Sequence, residues 1–123
     1  MKLLKSHLFI CNAFSLSMLD REVQLSDTGS RNFRRSPRPI TANKARAIAQ
    51  EAVGASGTVT SAIGHADTAA ILSNLLGVDL EVNRVSVKLD VGCHALIGQY
   101  VGPRLPEGDT DLPEGARIEW WLV

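Results

Sequence analysis

Residues 41–91 read TANKARAIAQEAVGASGTVTSAIGHADTAAILSNLLGVDLEVNRVSVKLDV, and the periods in this stretch decide the fold. Thr41 is a helix-capping residue type, and Ala45, Ile48, Ala49, Ala52 and Val53 follow at i, i+3, i+4, i+7 and i+8, with Gly54 as a stop. The spacing predicts an amphipathic helix. A second helix is expected to start near His65, to carry Thr68, Ile71, Leu72, Leu75 and Leu76 on one face, and to end at Gly77. The period then changes from 3.6 to two, because Val85, Val87, Leu89 and Val91 alternate with other residues as in a strand. Two helices with one apolar face each need a sheet to cover them.

Downstream, Gly92, Cys93 and His94 separate that alternation from an apolar run at 95–101, which predicts an antiparallel hairpin. Ile118, Trp120 and Leu122 alternate with Glu119 and Trp121, so residues 117–123 are expected to form a closing strand. Adjacent strand residues face opposite sides, which places one of Trp120 and Trp121 in the core and leaves the other for a surface, a dimer interface or a stacking contact. The two copies of LPEG, at 105–108 and 112–115, read as paired turns.

Upstream, residues 8–13 form a brief apolar run containing Phe9, Ile10 and Cys11, expected to be a buried strand. Residues 16–25 are ambiguous, with 21–25 a candidate for a weaker strand. Residues 27–39, DTGSRNFRRSPRP, read as an exposed loop carrying Arg31, Arg34, Arg35 and Arg38. That loop is either a solvated segment or an arm that helps hold phosphates. The expected fold is therefore α/β: one domain over 1–123, with a mixed sheet of about five strands and helices packed on it.

Composition narrows the function classes. Thirteen basic residues balance thirteen acidic ones, so no whole-molecule field draws in nucleic acid, and no stable DNA or long RNA partner is expected. Two cysteines and three histidines occur at no recognised ligand spacing, so neither a disulfide framework nor a metal or other cofactor is expected. No apolar run approaches the roughly 20 residues of a membrane span. Two lysines precede the apolar start, as in a signal peptide, but Ser6, His7 and Asn12 interrupt it and no small-residue cleavage site follows. A cytoplasmic protein is expected.

Three segments place polar groups at the edges of elements: Asn12-Ala-Phe-Ser15, Ser61-Ala-Ile-Gly-His65 and Gly102-Pro-Arg-Leu-Pro-Glu-Gly108. Asn12 and Ser15 lie just past a strand's carboxyl end, where ligands gather in open α/β sheets. His65 opens a helix, where free N–H groups and the dipole favour an anion, although a histidine there also serves as a cap or a plain surface residue. Arg104 and Glu107 sit in a loop restricted by Pro and Gly; three residues apart, such a pair also forms ordinary surface ion pairs. The residues alone give a polar, anion-binding edge.

NAFS, SAIGHADTAAILSNLLGV, NRVSVKL and RLPEG, in this order and at these separations, resemble the small proteins of archaeal viruses and bacteria that act as type III anti-CRISPR ring nucleases. The resemblance runs over about 8–123. It implies a homodimer, in the cytoplasm of a host if viral, that binds the signal cyclic tetra-adenylate and cleaves it without metal to linear di-adenylate with a 2′,3′-cyclic phosphate. It also implies roles: His65 as general acid, Arg104 on the scissile phosphate, and Glu107 as a supporting group. Asn12, Ser15, Arg84 and Gln99 would bind the ring. The chain departs from the family at Gly92-Cys93-His94, where many relatives have Gly-Asp, and in its Arg-rich loop. The alternative is a non-enzymatic regulatory module that binds nucleic acid or protein through the same edge. Its signature would be a basic stripe or a recognition helix, and the two expected helices carry neither.

Overall fold

The computed structural model describes residues 7–14, 18, 37–54, 58–89, 93–103, 108 and 112–123. In chain order the elements are β1 (His7–Cys11), β2 (Arg38–Ile40), α1 (Ala42–Gly54), β3 (Thr58–Ala62), α2 (Ala66–Leu76), β4 (Cys93–Val101) and β5 (Arg117–Leu122). The strands form one mixed sheet in the order β2-β5-β4-β1-β3. The expected class, α/β with about five strands, is what the chain adopts.

β1 is the centre of the parallel half. It pairs in parallel with β3 on one side and β4 on the other, with Cys11 opposite both Ala62 and Ile97. A strand covered on both faces reads as a continuous apolar run instead of alternating, which is why residues 8–11, LFIC, are all apolar. Leu8 and Ile10 enter the core beneath the helices, whereas Cys11 belongs to the cluster on the opposite face. β4 pairs antiparallel with β5, and β5 antiparallel with β2.

Both helices pack on one face. Ala45 and Ala49 of α1, and Ala69, Leu72 and Leu76 of α2, join Leu8, Ile10, Leu96 and Trp120 in a single buried cluster. Thr41 acts as the expected cap, its Oγ1 accepting the Lys44 N–H at 3.1 Å. α2 ends at Gly77, whose φ of 71° is open to glycine at little cost; the N–H groups of Gly77 and Val78 both reach the Ser73 carbonyl. Gln50 of α1 donates to the Leu76 carbonyl at 3.1 Å, tying the two helices together. Val53 and Leu75, expected on apolar faces, are exposed instead.

The two tryptophans divide as strand geometry requires. Trp120 is buried under the helices, its ring lying over Gly98, where an added Cβ would come within 2.7 Å of Trp120 Cζ3. Trp121 packs on the opposite face beside Cys11, Val87, Leu89, Ala95, Ile97 and Val123.

The sequence expectations need three corrections. The hairpin between 85–91 and 95–101 does not form: β4 already has β1 and β5 on its two edges. Val87 and Leu89 are instead buried in the second cluster, and the Leu89 N–H donates to the Met18 carbonyl at 2.6 Å. β3 was not anticipated; its sequence TVTSA has a single large apolar residue, as suits the edge of a sheet. Arg38 and Pro39 belong to β2 and not to a loop, with Pro39 on an edge strand, where its missing N–H costs no ladder bond. The expectations for 21–25, 27–36 and the first LPEG turn fall outside the described residues, apart from Gly108. No helix of the described residues is long and apolar enough to cross a membrane.

Candidate functional site

The three parallel strands, β3, β1 and β4, deliver their carboxyl ends to one edge of the sheet. Neighbouring strands lie about 4.8 Å apart, so the whole edge from β3 to β4 is roughly 10 Å wide. Asn12 follows β1 directly and is half-buried, Gly64 and His65 follow β3, and Gln99 lies on β4 two residues beyond the level of Cys11, exposed. Four of the seven candidate residues, Asn12, His65, Arg84 and Gln99, are described, and all four belong to this edge or to the segment stitched beside it. Ser15, Arg104 and Glu107 lie outside the described residues.

His65 is the helix N-cap by backbone only. Its φ and ψ of −131° and 129° are extended, its carbonyl accepts the Ala69 N–H at 3.0 Å, and its side chain makes no capping bond. The imidazole is exposed and free of the role that most often explains a polar residue at this position. Beyond it, the first-turn N–H groups of α2 have no partner within the helix, an arrangement that in general favours an anion.

Arg84 reaches the same point through a set of polar ties. Residues 81–84 run beside the end of β3, with Val82 bridged in parallel to Ile63. Asn83 fastens them: its backbone N–H donates to the Ile63 carbonyl at 2.8 Å and its amide Nδ2 to the Ser61 carbonyl at 2.7 Å. Ser61 Oγ in turn donates to the Glu81 carbonyl at 2.7 Å. Arg84 Nε then donates to the Gly64 carbonyl at 2.8 Å, and its terminal guanidinium nitrogens make no further bond among the described residues. Glycine at 64 makes room for this, since a Cβ there would sit 3.0 Å from Arg84 Cγ.

On the other side, the described residues of the β4–β5 connection make three contacts. At its base Gly102, with φ 150°, passes so close to Ala116 that an added Cβ would lie 2.7 Å from the Ala116 Cα. The Tyr100 hydroxyl donates to the Pro103 carbonyl. At the far end of the RLPEG segment, the Gly108 N–H donates to Asp67 Oδ2 at 2.8 Å, a contact between residues 41 apart in the chain. The motif therefore ends against the first turn of α2, two residues from His65.

Next to Asn12 a cleft of about 420 Å³ is lined by Ala13, Phe14, Pro37, Ile97, Gln99 and Trp121. Trp121 Nε1 is buried with no partner among the described residues. Cys11, immediately before Asn12, supplies no nucleophile: burial pushes its thiol up to about 12, so it stays protonated at neutral pH. Neither cysteine is in a disulfide. Among the described residues no group of three or more His, Cys, Asp or Glu side chains is placed to hold a metal ion.

Sequence reasoning missed Ser61, Asn83 and Asp67. All three lie inside the quoted motifs NRVSVKL and SAIGHADTAAILSNLLGV, and that position was the available signal; that Asp67 and Gly108 meet had none, because the contact is purely tertiary.

The fold has a solved counterpart. The B116 protein of Sulfolobus turreted icosahedral virus has a similar solved structure, with a TM-score of 0.71 and 26% sequence identity over 95% of this chain and 97% of that one. No curated protein matches the chain. The model of the STIV B116-like family matches residues 8–118, and the chain belongs to that family.

Proposed function

We propose that this protein is a metal-independent ring nuclease that binds cyclic tetra-adenylate and opens it to linear di-adenylate carrying 2′,3′-cyclic phosphates. The observation that carries the reading is the pairing of a free, exposed imidazole with an anchored guanidinium at the start of α2: His65 makes no capping bond, and Arg84 is held to the Gly64 carbonyl beside it. A cation and a proton donor at a helix N-terminus suit a phosphodiester.

In this reading the ribose 2′-oxygen attacks the adjacent phosphorus as its own proton leaves to solvent or a nearby base. The new 2′-O–P bond forms, the P–O5′ bond breaks, and His65 gives its proton to the departing 5′-oxygen. Because the nucleophile is part of the substrate, holding the three atoms in line supplies much of the rate. A positioned acid adds roughly 10²–10⁴-fold. Arg104, from the motif that ends at Gly108, would offset charge developing on the phosphoryl oxygens, and Glu107 would orient the groups around it. Asn12, Ser15, Arg84 and Gln99 would hold the sugar-phosphate ring.

The ring has a two-fold axis, so a C2 homodimer would set one site against each of two opposite phosphates, and two cuts would release two di-adenylates. The test is incubation with cyclic tri-, tetra- and hexa-adenylate in EDTA, with the products resolved by mass. Cleavage of the tetra-adenylate to di-adenylate cyclic phosphate is expected; binding of the ring without cleavage would reduce the protein to a ligand-binding module.

A further inference from the structure

Asp67 was not among the residues that the sequence marked for chemistry, yet its carboxylate joins α2 to the 102–116 connection. It occupies the second helical position of α2, immediately after His65 and Ala66. An acidic residue in a first turn has an ordinary explanation, the helix dipole. That explanation needs only the charge. It does not require an oxygen placed 2.8 Å from the N–H of Gly108, a residue with φ 87° at the end of RLPEG.

We propose that Asp67 is a positioning residue that fixes the end of the RLPEG segment against the helix start that carries His65. The inference rests on the ring-nuclease reading above. The 102–116 connection is pinched at its base, where Gly102 passes Ala116, and tied at Gly108; between these two points lie Arg104 and Glu107 in sequence. A bond from a carboxylate to a backbone N–H is charge-assisted and strongly directional, so Asp67 sets the distance between the two motifs. Catalysis by in-line transfer is sensitive to that distance, a misplacement of about 1 Å costing up to about 100-fold.

Asp67→Ala, Asp67→Asn and the unaltered protein separate the roles. The measurements are single-turnover cleavage of cyclic tetra-adenylate, thermal midpoint, and exchange of the Gly108 amide followed by NMR. Asparagine keeps an acceptor oxygen for Gly108 but carries no charge. The expected result is that Asp67→Ala speeds Gly108 exchange and slows cleavage by about tenfold or more, while Asp67→Asn restores cleavage to near that of the unaltered protein. Unchanged cleavage in folded Asp67→Ala overturns the assignment, as does an Asn variant as impaired as the Ala variant, which would show that only the charge matters. If the unaltered protein cleaves no ring, the functional reading itself fails and this role falls with it.

Discussion

Replacing His65 with alanine removes an exposed side chain that makes no bond among the described residues, and this separates catalysis from stability. The imidazole is exposed and makes no capping bond, and the Ala69 N–H bonds to the backbone carbonyl of residue 65, which the substitution keeps. The loss of stability should therefore stay within the roughly 0.5 kcal/mol typical of surface changes, a shift of about 2 °C for a chain of this size. Ring affinity should change little, because Arg84, Asn12 and the first-turn N–H groups remain. Cleavage should fall by roughly 10²–10⁴-fold, equivalent to about 2.7–5.5 kcal/mol of transition-state stabilisation. Single-turnover cleavage, measured beside direct binding and thermal unfolding of the same variant, reads all three quantities. A folded His65→Ala protein that cleaves at the original rate would refute the assignment of the acid; one that loses affinity but turns over bound ring normally would make His65 an anchor.

Three further outcomes follow from the geometry. Arg84→Ala should weaken ring binding about 10- to 100-fold, the value of a charge-assisted bond of about 1.5–3 kcal/mol, as measured by calorimetry; unchanged affinity would place the phosphates elsewhere. Gly98→Ala drives a Cβ to 2.7 Å from Trp120 Cζ3 and 3.0 Å from Leu72 Cδ2, so urea unfolding should show a loss of about 1–3 kcal/mol, and a neutral result would mean that the indole moves freely. The Cys11 thiol is raised from an ordinary 9.0 to about 12 by burial. Its protonated form therefore stabilises the fold fully below pH 9, and this contribution is lost as pH rises from 9 to 12. The stability advantage over Cys11→Ala should shrink by about 1.4 kcal/mol per pH unit in that window, and a difference that stays constant across it would contradict the burial argument.

What the sequence disclosed follows the range of the interactions. α1 and α2 were legible because their signals are local: a Thr41 cap, a 3.6 period, and a stop at Gly54 or Gly77. β1 and β5 were legible from their apolar content and alternation. The alternation at 85–89 reported two residues that do become buried, Val87 and Leu89, but alternation carries no information about which neighbour a segment faces, and so it suggested a hairpin that β1 and β5 had already displaced. β3 was hidden because an edge strand of Thr and Ser has little apolar pattern to show. In the site, Asn12 and His65 were marked by their place at element ends and Gln99 by the family resemblance, and the structure brings all three to one edge. The ties that position the rest join residues 20 to 41 apart, Arg84 to Gly64 and Gly108 to Asp67, and no local pattern reports them.

The most direct test of the central claim is to add cyclic tetra-adenylate to the purified protein in excess EDTA and follow products by mass spectrometry. The account predicts di-adenylate bearing a 2′,3′-cyclic phosphate, because the substrate's own 2′-oxygen is the nucleophile and the proton comes from His65. Complete loss of cleavage in EDTA with recovery on adding a divalent ion, or products ending in a 5′-phosphate, would contradict it.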